Sequence, residues 1–384
     1  MKNNKKMNIV YCTPSLYIAG GVERVLTLKA NYLADIAGYD ITIILTDGKD
    51  KKPYYSISPK IKIVHLDINF EELWHLPFWE KTILYLKKQR IYKQRLSACL
   101  MEFKPDITVS LMRREINFIT SIKDGSKKIG EIHVNKEHYR NFEGKDNNII
   151  KILFSKLWMY SLTRKINKLD KFIVLSNEDK KQWRNINNIT TIYNPMALEI
   201  MPKECERKKQ VLAVGRYVYQ KGFDLLIPAW AKVVEKHPDW ILKIYGDGDR
   251  SQYNKIVKNF NLEKKCLLKP ATPNIIDKYY ESSIFVLSSR YEGFGLVLVE
   301  AMACGVPCVS FNCHSGPPEI ITDGVDGLIA KNGDIDDLAE KISIMIENER
   351  MREYMSKQAL IKSKSFQKEV IMQQWINLFN ELKS

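Results

Sequence analysis

Two glutamates eight residues apart, Glu292 and Glu300, bracket a glycine-rich stretch in SSRYEGFGLVLVEAMACGVPCVSF. The run IFVLSS before them has the form of a strand, a helix starts near Leu296, and Gly305 with Pro307 stops it. Glu292 then lies in the loop before the helix and Glu300 within its first two turns, while Gly293 and Gly295 leave the intervening amides open. Amides at a helix N-terminus attract anions. A phosphate therefore fits near Phe294, Gly295 and Leu296, with the two carboxylates accepting hydrogen bonds from hydroxyls on either side of it. A carboxylate within GLVLVEAM also needs a partner, so a structural, buried Glu300 is the competing reading.

Opposite charge comes from Arg216 and Lys221, which sit in VGRYVYQKGFDLL at a strand-to-helix junction beside Gly222. Arginine grips two oxygens and lysine acts as a point charge, which suits a diphosphate. A solvated cationic loop has the same composition. Gly20 and Gly21 open a helix after MNIVYCT and free the backbone for a phosphate or sugar, although a tight turn would use the same residues. This is not G-x-G-x-x-G, so the dinucleotide fingerprint is missing. His133, ending KIGEIH, is either a site residue or a core histidine. Arg113 and Arg114 follow ITVSLM, where they either hold the pyrophosphate of an acceptor or face solvent. Asp247 and Asp249 have D-x-D spacing but lie in a Gly-rich turn with Gly246 and Gly248.

Short apolar runs alternating with helical patterns must position these groups, which predicts parallel sheets of βαβ units. The first set is MNIVYCT, ITIILT, IKIVHL, ITVSLM, KIGEIH, KFIVLS and TTIYN; the second is VLAVG, WILKIYG, CLLK, IFVLSS, PCVSF and GLIA. Between them, residues 195–210 carry two prolines and a charge cluster without periodicity, and serve as a linker. Two doubly wound α/β domains follow, 1–198 and 199–365, with their ligand-facing loops at the carboxyl ends of the strands and a cleft between the domains as the expected site.

The 384 residues carry a net charge of +15, placed unevenly: residues 1–198 hold 34 Lys and Arg against 20 Asp and Glu, the remainder 26 against 25. The first half is thus suited to an anionic partner. Residues 74–104 mix Trp74, Phe78, Trp79, Ile83 and Leu84 with Lys87, Lys88, Arg90, Lys93 and Arg95, and residues 151–168 add Phe154, Leu157, Trp158, Arg164 and Lys165. Such helices either lie on anionic lipid or turn their aromatics to the core. No helix-turn-helix, zinc-finger or RNP-like pattern points to nucleic acid. The seven scattered cysteines contain no C-x-x-C pair and suit reduced thiols in a cytosolic protein; Cys304, Cys308, Cys313 and His314 come nearest to a metal cluster but straddle several elements. Lys2, Lys5 and Lys6 imitate a signal peptide's basic region, yet the apolar stretch after them soon meets a Gly-rich turn.

E-G-F-G-L-V-L-V-E resembles the E-x7-E motif of retaining nucleotide-sugar glycosyltransferases of the GT-B fold, family-four type. The same order of features recurs: Gly20 and Gly21, His133, Asn194 with Pro195, Arg216 with Lys221 and Gly222, the turn Gly246 to Gly248, then Glu292 and Glu300. The resemblance implies two Rossmann-like domains facing a cleft, with helix 366–384 crossing back to the first. It implies a donor site in which Arg216 and Lys221 hold the diphosphate and Glu300 the ribose, while Glu292 and the amides after it lie near sugar and phosphate, and His133 lies near the sugar. The activity implied is metal-independent retaining transfer, without a cofactor, of a hexose or N-acetylhexosamine from a UDP-type donor to a lipid-linked or polysaccharide acceptor, on the inner face of the cytoplasmic membrane. CHSGPPEIITDGVDGLIA resembles the branch that builds surface polysaccharide and lipid-linked oligosaccharide. The alternatives are a UDP-sugar epimerase of the same fold and a noncatalytic nucleotide-sugar-binding scaffold.

Overall fold

The structure, a computed structural model, describes residues 6–139, 149–200, 203 and 205–384; Lys2, Lys5 and linker residues 201, 202 and 204 lie outside them. The chain forms two units: Met1–Val174, Lys180–Ile192 and Met372–Ser384 make unit 1, and Leu175–Asp179 with Tyr193–Ile371 make unit 2.

Unit 1 holds β1 (Asn8–Thr13), β2 (Asp40–Leu45), β3 (Lys62–His65), β4 (Ile107–Ser110), β5 (Lys127–Glu131), β6 (Lys171–Val174) and β7 (Ile189–Thr191). They form one sheet in the order β3-β2-β1-β4-β5-β6-β7, every neighbour parallel. Unit 2 holds β8 (Lys208–Val214), β9 (Ile241–Tyr245), β10 (Cys266–Lys269), β11 (Ser282–Leu287), β12 (Cys308–Phe311) and β13 (Gly327–Ala330), in the order β10-β9-β8-β11-β12-β13, also parallel.

The apolar runs become strands because both faces of each sheet are covered. Val211 and Ala213 of β8 enter one core with the helices Phe223–Lys236 and Ile335–Glu347, while Leu212 between them enters another with the helix Leu296–Ala303. In unit 1, Val10 and Cys12 of β1 pack with Tyr92, Leu96 and Leu100 of the helix Phe78–Phe103 and with Leu162 and Ile166 of the helix Ile149–Ile166. The stretch after Lys6 that imitates a signal peptide's apolar region is β1 itself, buried from Val10 to Thr13. Among the described residues no helix is long and apolar enough to cross a membrane.

Strand order reverses once per sheet, between β1 and β4 and between β8 and β11. Ligands of open parallel sheets bind beyond the carboxyl ends of the strands at such a point. Gly20 and Gly21, Arg113 and Arg114, Arg216 and Lys221, and Glu292 and Glu300 each follow one of these four strands, whereas His133, Asn194 with Pro195, the Asp247 turn and the CHSGPPE stretch follow β5, β7, β9 and β12.

Candidate active site

At the switch of unit 2, the loops after β8 and β11 meet through charge. Lys221 Nζ lies 2.7 Å from Glu292 Oε1, and Ser289 Oγ donates to the same oxygen at 2.6 Å. Both members are largely shielded, at 15% and 8% side-chain exposure, so the pair is worth more than a surface ion pair. Gly222 makes the approach possible: its φ is +63°, and a Cβ there would fall 2.0 Å from the Ser288 carbonyl oxygen. Arg216 is exposed at the end of β8. Gly246, directly after β9, presses so close to the Gly215 carbonyl that any side chain would collide with it.

Gly295, at φ +95°, opens the helix Leu296–Ala303, which carries Glu300 at 2% exposure. Its carboxylate accepts a hydrogen bond from Tyr279 OH at 3.0 Å, so the buried charge has a partner before any ligand arrives. Phe294 is buried and stacked on Tyr193 at 5.5 Å. Asp249 caps its own turn: its Oδ1 accepts from the Ser251 hydroxyl at 2.6 Å and amide at 2.9 Å, bonds that hold its carboxyl below the usual range. Among the described residues no three His, Cys, Asp or Glu side chains are grouped to hold a metal. Burial pushes the Cys308 and Cys313 thiols well up and Cys304 to about 12, while His314 Nδ1 faces Glu178 at 2.9 Å.

Sequence reasoning passed over three supports of this site. Arg290 binds Asp224 through two bonds of 2.8 and 2.6 Å, donates to the Tyr219 carbonyl, and stacks over the Tyr219 ring, tying the β11 loop to the helix after Lys221. Ser289 and Tyr279 are the others, and only the adjacency of SSR to EGFG marks two of these three in the chain.

At the switch of unit 1, Gly20 and Gly21 differ in what they do. A Cβ at Gly20 would meet the Glu23 carboxylate 2.0 Å away, whereas one at Gly21 would meet nothing within 4 Å. Beyond β4, Met112 takes a left-handed φ of +54°, a conformation that costs a non-glycine residue about 1–3 kcal/mol. It is held there by the Ser110 hydroxyl on its amide at 3.0 Å, by Tyr139 OH on its carbonyl, and by Glu115 accepting from the Arg113 amide at 2.9 Å. This fixed turn brings Arg113 and Arg114 to the wall of a cavity of about 390 Å³.

His133 follows β5, its ring largely buried and its Nε2 3.1 Å from Glu131 Oε1. Glu131 is itself gripped by Lys29 Nζ, 2.6 Å from both carboxylate oxygens, and the Trp375 ring covers that ammonium at 3.5 Å. Lys29 and Glu131 are each 1% exposed. Burial raises the Glu131 carboxyl, but the charges and hydrogen bonds of Lys29 and His133 outweigh it and bring it to about 2.

The basic helix is split in use. Lys88 Nζ donates to the Asn69 carbonyl at 3.0 Å and lies 2.9 Å from Glu72, and Arg95 donates to the Asp67 carbonyl at 3.0 Å, so these two secure the chain entering the helix. Phe78, Trp79, Ile83 and Leu86 are more than half exposed, beside exposed Lys81, Lys87 and Arg90. Trp74 instead lines the cavity that holds Arg113 and Arg114.

Residues 200–361 match the family model described as glycosyl transferases group 1. An uncharacterized glycosyltransferase of Haemophilus influenzae is 30% identical over 366 residues, spanning 93% of this chain and 95% of that protein. The chain belongs to this glycosyltransferase family. A poly(ribitol-phosphate) alpha-N-acetylglucosaminyltransferase of Staphylococcus aureus is 32% identical over 260 residues, 66% of this chain but only 51% of that protein. Among solved structures, a mutant of S. aureus TarM in complex with Fondaparinux, alpha-GlcNAc-glycerol and UDP superposes with a TM-score of 0.75 at 19% identity, covering 97% of this chain and 100% of that one. The fold of this glycosyltransferase is therefore GT-B, two Rossmann-like α/β domains.

Proposed function

We propose that this glycosyltransferase moves a hexose or N-acetylhexosamine from a UDP-sugar to a glycan acceptor of polysaccharide or lipid-linked type, with retention and without a metal ion. The observation that carries the reading is the meeting of Lys221, Glu292 and Ser289 at the switch of unit 2, with Glu300 held by Tyr279 on the helix that follows. A departing nucleoside diphosphate develops negative charge, and Arg216, Lys221 and the amides opening the helix at Leu296 are suited to receive it, as a divalent ion does elsewhere. Lys221 leaves Glu292 for the diphosphate, and the released carboxylate accepts from a sugar hydroxyl. Glu300 takes the ribose hydroxyls. No protein nucleophile is assigned, because a donor phosphate oxygen can take the acceptor proton on the same face. UDP in the TarM complex and the N-acetylglucosaminyl transfer named for the S. aureus relative support the donor class.

The exposed Phe78, Trp79, Ile83 and Leu86 among cations support docking of unit 1 on an anionic membrane, in keeping with a lipid-linked acceptor at the cytoplasmic face. The test is incubation with a panel of UDP- and GDP-sugars, with and without chelator, following nucleotide release and the anomeric configuration of the product by NMR. UDP release that persists in chelator, with a product of the donor's configuration, supports the proposal. Activity restored only by Mg²⁺ or Mn²⁺, or an inverted product, would refute the mechanism.

A further inference from the structure

Another cavity lies at the opposite end of the unit 2 sheet from the Lys221–Glu292 pair. Arg207 comes directly before β8, Ser282 opens β11 and Gly305 shortly precedes β12, so these groups gather at the amino ends of the strands, about 20 Å along β8 from Arg216. The cavity measures about 490 Å³, within the range of small-ligand clefts. Much of its wall is aliphatic: Met196 and Ile200 come from the stretch after β7, Ala303 from the end of the helix Leu296–Ala303 and Leu360 from the helix Glu349–Ser363. Tyr280 adds a single ring. Gly305 lets these elements close in, since a Cβ there would stand 3.2 Å from Arg207 Nη2 and 3.3 Å from Leu360 Cδ1.

Every ionised side chain of the lining is a cation. Cys304 and Tyr280 are pushed up to about 12 by burial and stay neutral, which leaves Lys203, Arg207 and Lys364. Arg207 Nη1 donates to the Ser282 carbonyl at 2.8 Å, and its Nη2 to the Cys304 and Gly305 carbonyls at 2.9 Å each. These bonds tie the end of the helix Leu296–Ala303 to β11 and satisfy the N–H groups, but neutral carbonyls do not cancel the charge. Among the described residues no carboxylate pairs with Arg207, and burial pulls its pKa down, as it does for a cation short of a counter-ion. Lys364 is exposed and, among the described residues, equally without a carboxylate in ion-pair reach. Lys203 Nζ lies 3.0 Å from Asp277, which is not part of the lining, and 6.0 Å over the Tyr280 ring. With Lys203 set against Asp277, two positive charges still lack a counter-charge beside an aliphatic wall. A bare phosphate would meet the cations and leave the wall wet, whereas a neutral hydrocarbon would fill the wall and leave Arg207 unpaired.

We propose that this cavity binds a small amphipathic anion, a single aliphatic chain ending in a carboxylate or phosphate. The chain lies against Met196, Ile200 and Leu360, and the head stands among Arg207, Lys203 and Lys364. The experiment is calorimetry on the full chain with hexanoate, octanoate, octyl phosphate, 1-octanol and inorganic phosphate, each below the concentration at which it forms micelles. Wild type is compared with Lys364→Glu and Leu360→Asp, and a thermal melt accompanies every sample. Both substituted side chains are exposed, so their replacement spares the fold. Octanoate or octyl phosphate should bind wild type, and the tighter of the two names the head group. From hexanoate to octanoate affinity should rise about fourfold for each added methylene. Both variants should lose about tenfold or more with unchanged melts, through a reversed charge in one and a carboxylate set into the wall in the other. Octanol binding as tightly as octanoate, or inorganic phosphate as tightly as octyl phosphate, would overturn the proposal. Affinity unchanged in both variants, or no binding of either amphiphile to wild type, would overturn it as well.

Discussion

Glu292 and Glu300 are both buried carboxylates, yet their partners set them apart. Glu292 neutralises a lysine that a diphosphate would claim, whereas Glu300 is held by a neutral phenol. Glu300→Gln should therefore weaken free UDP by about tenfold, one charge-assisted bond being worth about 1.5 kcal/mol or more. Glu292→Gln should bind UDP at least as tightly as wild type, because Lys221 loses its competitor, while sugar transfer drops. Calorimetry with UDP decides; equal losses would show the roles to be divided wrongly. The Lys29–Glu131 pair makes a different prediction. A carboxyl brought from 4.5 to about 2 stabilises the folded chain fully above pH 4.5, and that contribution drains away as pH falls through 4.5 towards 2. Denaturant unfolding across this window should show a steeper loss for wild type than for Glu131→Gln. At pH 7 the variant should be less stable by roughly 3 kcal/mol, since it strands a buried lysine.

Elements were legible where burial is two-sided, and the reason is local. A strand covered on both faces must be apolar throughout, so IFVLSS or ITIILT announces itself without knowledge of its neighbours. The order of the strands, and with it the two switch points, is a long-range property that no single apolar run carries. What lies across the fold left no such mark: Lys29 and Glu131 are 102 positions apart, Arg290 meets Asp224 across 66, and Lys88 and Arg95 looked like lipid-facing cations until the carbonyls of residues 66–69 came within their reach. Nor could spacing tell Gly222, whose missing side chain lets two loops touch, from Gly21, which faces open space. Gly222→Ala should cost about 1–3 kcal/mol through its positive φ and the Ser288 carbonyl, and should lower UDP affinity by displacing Lys221. Gly21→Ala should cost no stability, since a Cβ there meets nothing within 4 Å. Thermal melts and UDP titrations on the two variants test this contrast.

At the scale of the whole molecule, the positive charge is concentrated in residues 1–198, and the exposed cations Lys81, Lys87, Arg90 and Lys93 lie on the helix whose first turns carry bare aromatics. Near an anionic surface each is worth about 1 kcal/mol, so neutralising all four should reduce binding to phosphatidylserine vesicles a hundredfold or more at low salt. Trp79→Ser should weaken binding in a salt-independent way. Sedimentation of the quadruple variant equal to that of wild type would leave this helix an ordinary solvated surface. Unit 1 has another property at this scale: Trp375, which roofs Lys29, belongs to a segment joined to unit 1 only after all of unit 2 has been traversed. During synthesis the nascent first unit therefore stands with its buried ammonium unroofed until the ribosome has finished the second. Stop codons placed before residue 372 should yield chains that retain a protease-resistant second unit while limited proteolysis nicks the first one, because the segment that covers its buried ammonium is synthesised only after unit 2.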